Sequence, residues 1–139
     1  MEHKFKQSKL LERALVTKNY ADQKGLPADF HNEVFEKIGD ALISFLAVEQ
    51  AFNEHKKLSA DIHDYRKEYV GNKLLSNIAE KMDLYELVKW SEGQKGQSQW
   101  QKSEELYADC IEAIIGAIYL DRGFKEAKKA FWNLIHKYK

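Results

Sequence analysis

The chain of 139 residues holds one cysteine, Cys110, and one proline, Pro27. A single thiol excludes an internal disulfide and any cysteine-based zinc cluster. Long hydrophobic runs are missing as well. No apolar stretch reaches the roughly 18 residues of a membrane span, and the first nine residues, MEHKFKQSK, lack the apolar segment of a secretory signal. Neither sign of charge is in excess, with 22 basic and 22 acidic residues. The chain therefore lacks the basic surplus that phosphate contacts usually call for. Its lysines are unevenly spread, however: Lys125, Lys128, Lys129, Lys137 and Lys139 face a single acid, Glu126, in the last fifteen positions. Hydrophobic residues at 44% and aromatics at 12% are ordinary for a globular protein. The expectation is one cytoplasmic domain over residues 1–139, large enough for a real core.

Residues 106–121, LYADCIEAIIGAIYLD, organise the rest. From Cys110 to Leu120 the only charge is Glu112, and no proline or turn signal intervenes. This predicts a helix apolar nearly all round, which belongs in an interior. A carboxylate carried there costs several kcal/mol unless a cation or other partner meets it. Asp109 lies three residues before Glu112 and so on the same face. Gly116 falls about 20° from Asp109 on the helical wheel, where a neighbouring helix could approach closely. A core helix with one salt-bridged Glu would account for this stretch equally well.

The segment from His31 to Leu42, HNEVFEKIGDAL, is also helical in pattern, with Phe35, Ile38, Leu42 and Phe45 as an apolar stripe. Glu33, Glu36 and Asp40 crowd within about 60° of one another. Like charges at that spacing repel, so a divalent cation bridging the two helices would explain them.

Together these two stretches, Asn-Glu-x-x-Glu-x-x-Gly-Asp-Ala and Ala-Asp-x-x-Glu-Ala-x-x-Gly-Ala-Ile-Tyr-Leu-Asp, about seventy residues apart, resemble the signature helices of ribonuclease III. The resemblance runs from about residue 8 to residue 135. It implies an all-α endonuclease domain of about seven helices that forms a two-fold homodimer. It also implies a stand-alone catalytic domain, since no double-stranded-RNA-binding domain follows within these residues. Two departures stand out. The family's Ala-Leu-Thr-His-x-Ser segment reads Ala14-Leu15-Val16-Thr17-Lys18-Asn19, and the Phe that usually follows the second Glu of the motif is Lys37. Phe35, Tyr85 or Trp90 would then serve the dimer in its place, or the dimer would be weaker.

Along the chain, residues 4–18 predict one amphipathic helix, followed by a loop at Gly25 and Pro27. A long helix is expected from Asn32 to His55, then a polar helix over 59–69 with Ser59 as N-cap. Leu74, Leu75, Ile78, Ala79 and Met82 mark another, and Asp83 caps a short helix ending near Trp90. Residues 91–100 have the composition of a flexible loop. Gly123 closes the 106–121 helix, and residues 124–138 form the last one.

The resemblance implies that Glu36, Asp40, Asp109 and Glu112 bind metal, with Asp40 and Glu112 catalytic. All-oxygen ligands suit Mg²⁺, and Mn²⁺ could substitute; two such ions stabilise attacking and leaving oxygens together. The implied reaction is hydrolysis of both strands of double-stranded RNA in RNA processing, leaving 5′-phosphate and 3′-hydroxyl ends with a short 3′ overhang. RNA duplexes are read through shape and phosphates. Asn32, Glu33 and Lys95 are expected to support the ligands or face the RNA. A separate RNA-binding protein is the other partner class left open.

Several residues favour a structural role: Cys110 as a buried thiol, His31 and the tryptophans Trp90, Trp100 and Trp132 as packing groups. His55, His63 and His136 show no metal-ligand spacing. Two other classes remain in view. A di-iron carboxylate bundle would need Glu-x-x-His pairs, which the chain lacks. A non-catalytic relative bound to RNA in a larger particle would be expected to lose one of the four acids.

Overall fold

In the computed structural model, residues 4–54, 56–95 and 104–139 are described. They form nine helices and no strand; a lone parallel bridge joins Val16 and Lys89. The helical residue 106–121 stretch lies within Glu104–Arg122, here α8, and is buried almost around its whole circumference, from Tyr107 and Ala108 through Ile118. No other helix has so few polar faces, and the remaining helices pack around it.

The long helix Glu33–Asn53, α3, lies across α8 and packs on it more extensively than any other element. Phe35, Gly39, Ile43, Leu46 and Ala47 form its buried side. Ser8–Ala14 (α1), Asn72–Lys81 (α5) and Phe124–Tyr138 (α9) also rest on α8, while Ser59–Val70 (α4) covers α3. Lys18–Lys24 (α2) and the single turns Leu84–Leu87 (α6) and Glu92–Lys95 (α7) connect them. No helix among the described residues is long and apolar enough to cross a membrane.

The apolar pattern read from α3 is divided by the fold. Phe35 is core, Ile38 and Leu42 are half-buried, and Phe45 is exposed. Periodicity finds an apolar face, but it cannot say that one face meets α8 while the next, Val34, Phe45, Val48 and Phe52, stays open. The expected helix over 4–18 is likewise two elements. Thr17 breaks it by N-capping α2, its hydroxyl accepting from the Tyr20 amide at 3.2 Å. Ser59 is the first residue of α4 rather than its cap, which falls on Leu58. Asp83 stands at the cap of α6 in a left-handed conformation without a side-chain capping bond. The 91–100 segment holds a helical turn at Glu92–Lys95; positions 96–100 lie outside the described residues. Gly25 and Gly123, at φ of 64° and 91°, take the turns that glycine permits.

Two other glycines fix the distance between α3 and α8. A Cβ on Gly39 would overlap the backbone carbonyl of Glu112, and one on Gly116 would overlap that of Phe35. The helices thus touch backbone to backbone, and each glycine sits at the point of contact. Gly39→Ala gains up to about 1 kcal/mol of helix propensity but must push a helix backbone aside, at about 3 kcal/mol or more. Urea unfolding of Gly39→Ala should therefore show a net loss of at least about 2 kcal/mol, whereas Gly93→Ala, with open space around it, should be close to neutral.

Candidate metal centre

The backbone contact delivers four carboxylates to one place. Glu36 and Asp40 flank Gly39 one helical turn apart on α3, and Asp109 and Glu112 stand on the facing side of α8. Glu36, Asp109 and Glu112 each offer an oxygen within 4.8 Å of the others. Asp40 is more exposed and falls outside that group of three, yet it joins the cluster by accepting a hydrogen bond from Glu112. The acids are therefore matched across the crossing, Asp109 donating to Glu36 and Glu112 donating to Asp40.

Such bonds between carboxyl groups require protons, and the environment supplies the reason. Glu112 is 6% exposed. Its burial, then its bond with Asp40 and the charges of Asp40, Asp109 and Glu36, push its pKa up to about 9. Burial and the charge of Glu36 raise Asp109 to about 7. Glu36 is raised too, chiefly by burial. No lysine, arginine or histidine forms an ion pair with any of the four among the described residues. The salt-bridged Glu of the simpler sequence reading is thus absent: these acids meet other acids. Like charges held together in a partly buried site call for a cation or for protons.

The donor set consists wholly of carboxylate oxygens, with no histidine or thiolate among them. Hard divalent cations of the Mg²⁺, Mn²⁺ and Ca²⁺ type match such ligands, and softer metals do not. Neighbouring Cys110 is fully buried with its thiol pushed up to about 12, by burial first. It is a packing group.

The other expected residues are dispersed. Asn32 is buried, its amide donating to the Ala14 carbonyl at 3.3 Å and its own backbone amide to Val16. It ties the start of α3 to the end of α1. Glu33 is half-exposed beside the cluster and adds to the charge on Glu36. Lys95 lies on the exposed turn α7 with Glu92 3.6 Å away. His31 is structural, its Nδ1 accepting from the Glu33 amide. Trp90 is core and donates to the Tyr85 carbonyl, and Trp132 packs edge-on against Tyr69 and Phe131. His55 and Trp100 lie outside the described residues. With Phe35 at 2% and Trp90 at 3% exposure, neither is free to replace the missing aromatic at position 37; both belong to the core.

Two supports escaped the sequence reading. The buried Asp121 carboxylate accepts from the backbone amides of Lys6 and Gln7, one on each oxygen at 2.9 Å, which anchors the segment leading into α1. Arg13 stacks its guanidinium 4.5 Å from the Phe35 ring centroid and donates to the His31 carbonyl. Both contacts join residues far apart in sequence, and no local spacing announces them.

Comparison with known proteins places this geometry. A family model described as Ribonuclease-III-like matches residues 7–138. Ribonuclease 3 of Aster yellows witches'-broom phytoplasma is 31% identical over 126 residues, covering 91% of this chain and 52% of that protein. Ribonuclease 3 of Bdellovibrio bacteriovorus is 34% identical, covering 91% and 53%. The chain spans about half the length of these relatives. Among solved structures, the nuclease domain of ribonuclease III from Campylobacter jejuni, described as flexible in its region involved in dimer formation, superposes with a TM-score of 0.86. Its identity is 29%, and the match covers 98% of this chain and 91% of that one.

The raised acids set the pH dependence of the metal-free protein. A carboxyl whose folded pKa exceeds its unfolded value lets the folded state bind more protons, so stability falls as pH rises above the unfolded value, near 4. The loss should continue through about 7 for Asp109 and about 9 for Glu112. Thermal unfolding in chelator is expected to show a falling midpoint from pH 5 to pH 9. Added Mg²⁺ should restore stability at pH 8 and have little effect at pH 5, where protons compete for the ligands.

Proposed function

We propose that this chain, which belongs to the ribonuclease III family, is an endoribonuclease that cleaves both strands of double-stranded RNA with Mg²⁺. The convergence of Glu36, Asp40, Asp109 and Glu112 from two crossing helices carries the proposal. Those four side chains would hold the ions, and Mn²⁺ would substitute. When bound, divalent ions lower the pKa of water and neutralise charge building on the phosphate. The chain's part is to hold four oxygens at the crossing and to release the protons on Asp109 and Glu112. Products with 5′-phosphate and 3′-hydroxyl ends and a short 3′ overhang follow from the family reading. Asp40, the most exposed of the four, and Glu112 are assigned the catalytic roles. Glu33 and Lys95 are assigned to the RNA side and Asn32 to positioning, as its bond to Ala14 suggests.

Cutting two strands takes two such centres, and a second copy of the chain supplies the other. The open face of α3 supports this: Val34, Phe45, Val48 and Phe52 recur within about 60° of arc, Phe45 and Phe52 are 54% and 71% exposed, and Phe45 meets the ring of Phe124 at 5.8 Å. A contiguous apolar face of this kind marks an interaction surface, and a two-fold axis would pair it with itself.

In Mg²⁺, a long RNA duplex should be cut by the wild type and spared in chelator. Glu112→Gln should lower the cleavage rate by at least about a hundredfold with folding intact; undiminished cleavage would remove Glu112 from the mechanism. Sedimentation should show a dimer that Phe52→Asp converts to monomer, with the circular dichroism of the helices unchanged.

A further inference from the structure

At the far end of α3 from the carboxylates, about 27 Å along the helix from Glu36, lies a cavity of about 600 Å³. Gln50 of α3 and Glu54 at its C-cap, Tyr65 and Tyr69 of α4, Trp132 of α9 and Lys139 just after it are among its lining. Its size is that of a small-molecule site. Its walls are three aromatic rings that meet around Tyr69, with centroids at 5.0 Å to Tyr65 and 5.4 Å to Trp132. Glu54 stands beside Tyr65 at the rim, and Lys139 donates to the Tyr69 hydroxyl at 3.2 Å.

The chain itself displays what such walls accept. The Lys139 ammonium lies 4.5 Å from the Tyr69 ring centroid and pairs with Glu68. An ammonium over an aromatic face is held by the ring quadrupole, more strongly where water is excluded. Lys139 and Glu68 satisfy one another, whereas Glu54 pairs with no cation among the described residues. The cavity, which His136 also lines, therefore keeps aromatic walls, open volume and, at its exposed rim, one carboxylate without an ion-pair partner among the described residues. A neutral flat ligand would use the walls alone; a cation uses all three.

We propose that this cavity is a binding site for an aliphatic ammonium ion, with Tyr65, Tyr69 and Trp132 as walls and Glu54 as counter-charge. It is separate from the metal centre and does not depend on the nuclease reading. Lys139 occupies part of the same site and competes with the ligand for Tyr69.

The test is a ¹H–¹⁵N NMR titration of the full chain, without RNA or divalent ions, using n-butylammonium as probe and n-butanol as its uncharged counterpart. Saturable shifts are expected at residues 50–54, 65–69 and 132–139, the Trp132 indole included, and none of that size from n-butanol. Glu54→Gln, at an exposed position, should weaken binding about tenfold, equivalent to about 1.4 kcal/mol. Lys139→Met, which removes the competing ammonium, should tighten it. No saturation, shifts centred on Glu36, Asp109 and Glu112, equal shifts from n-butanol, or the failure of either variant to move the affinity as stated would overturn the proposal.

Discussion

The structure depends on two helix backbones being in contact. Helices ordinarily pack with side chains between them, about 8–10 Å axis to axis. At the crossing of α3 and α8, Gly39 and Gly116 remove the intervening side chains, and each meets the other helix's backbone. Short carboxylates on either side of those glycines are thereby brought into hydrogen-bonding reach. With ordinary side chains at the crossing, Glu36 and Asp109 would face one another across a gap. The packing that builds the core and the geometry that builds the acid cluster are one feature.

That arrangement is costly without a cation. Several carboxyl groups are partly removed from water and lack an ion-pair partner among the described residues, so they retain protons that free carboxylic acids would lose. The surrounding helices offset the cost. Ile111, Ile114, Ile115 and Ile118 of α8 are fully enclosed between α3, α5 and α9, and each buried aliphatic side chain contributes about 2 kcal/mol. Ala14, Ala113 and Ala117 gather around Phe35 in a small second cluster, and their short side chains let α1 close over the crossing. Strain at the acids is thus concentrated where the scaffold is most rigid, as expected of a site that must hold its ligands in place.

Two features of the surface follow from how α3 is shared. Its length, 21 residues, exceeds what α8 and α4 can cover. One face is left apolar and open near Phe45 and Phe52, and the last turn overhangs the aromatic cavity at Glu54. A single helix therefore presents the acid cluster at its start, an apolar face along its middle and the cavity at its end.

The sequence by itself determined the helical class and the two central helices, and its resemblance to ribonuclease III singled out the four acids. A 3.6-residue period in apolar positions is a local signal, and the spacing of Glu36 with Asp40 and of Asp109 with Glu112 places each pair on one helical face whatever the fold. Even the close approach at Gly116 was legible, because a small residue on an acidic face has few other uses. Tertiary structure alone decided which apolar face of α3 would be buried, why the first helix stops at Thr17, and that Phe35 and Trp90 belong to the core. It alone brought Asp121 to Lys6 and Gln7, and Glu54 to Tyr65 and Trp132. Those outcomes join residues remote in the chain, and a periodic pattern carries no information about which distant surface will meet it.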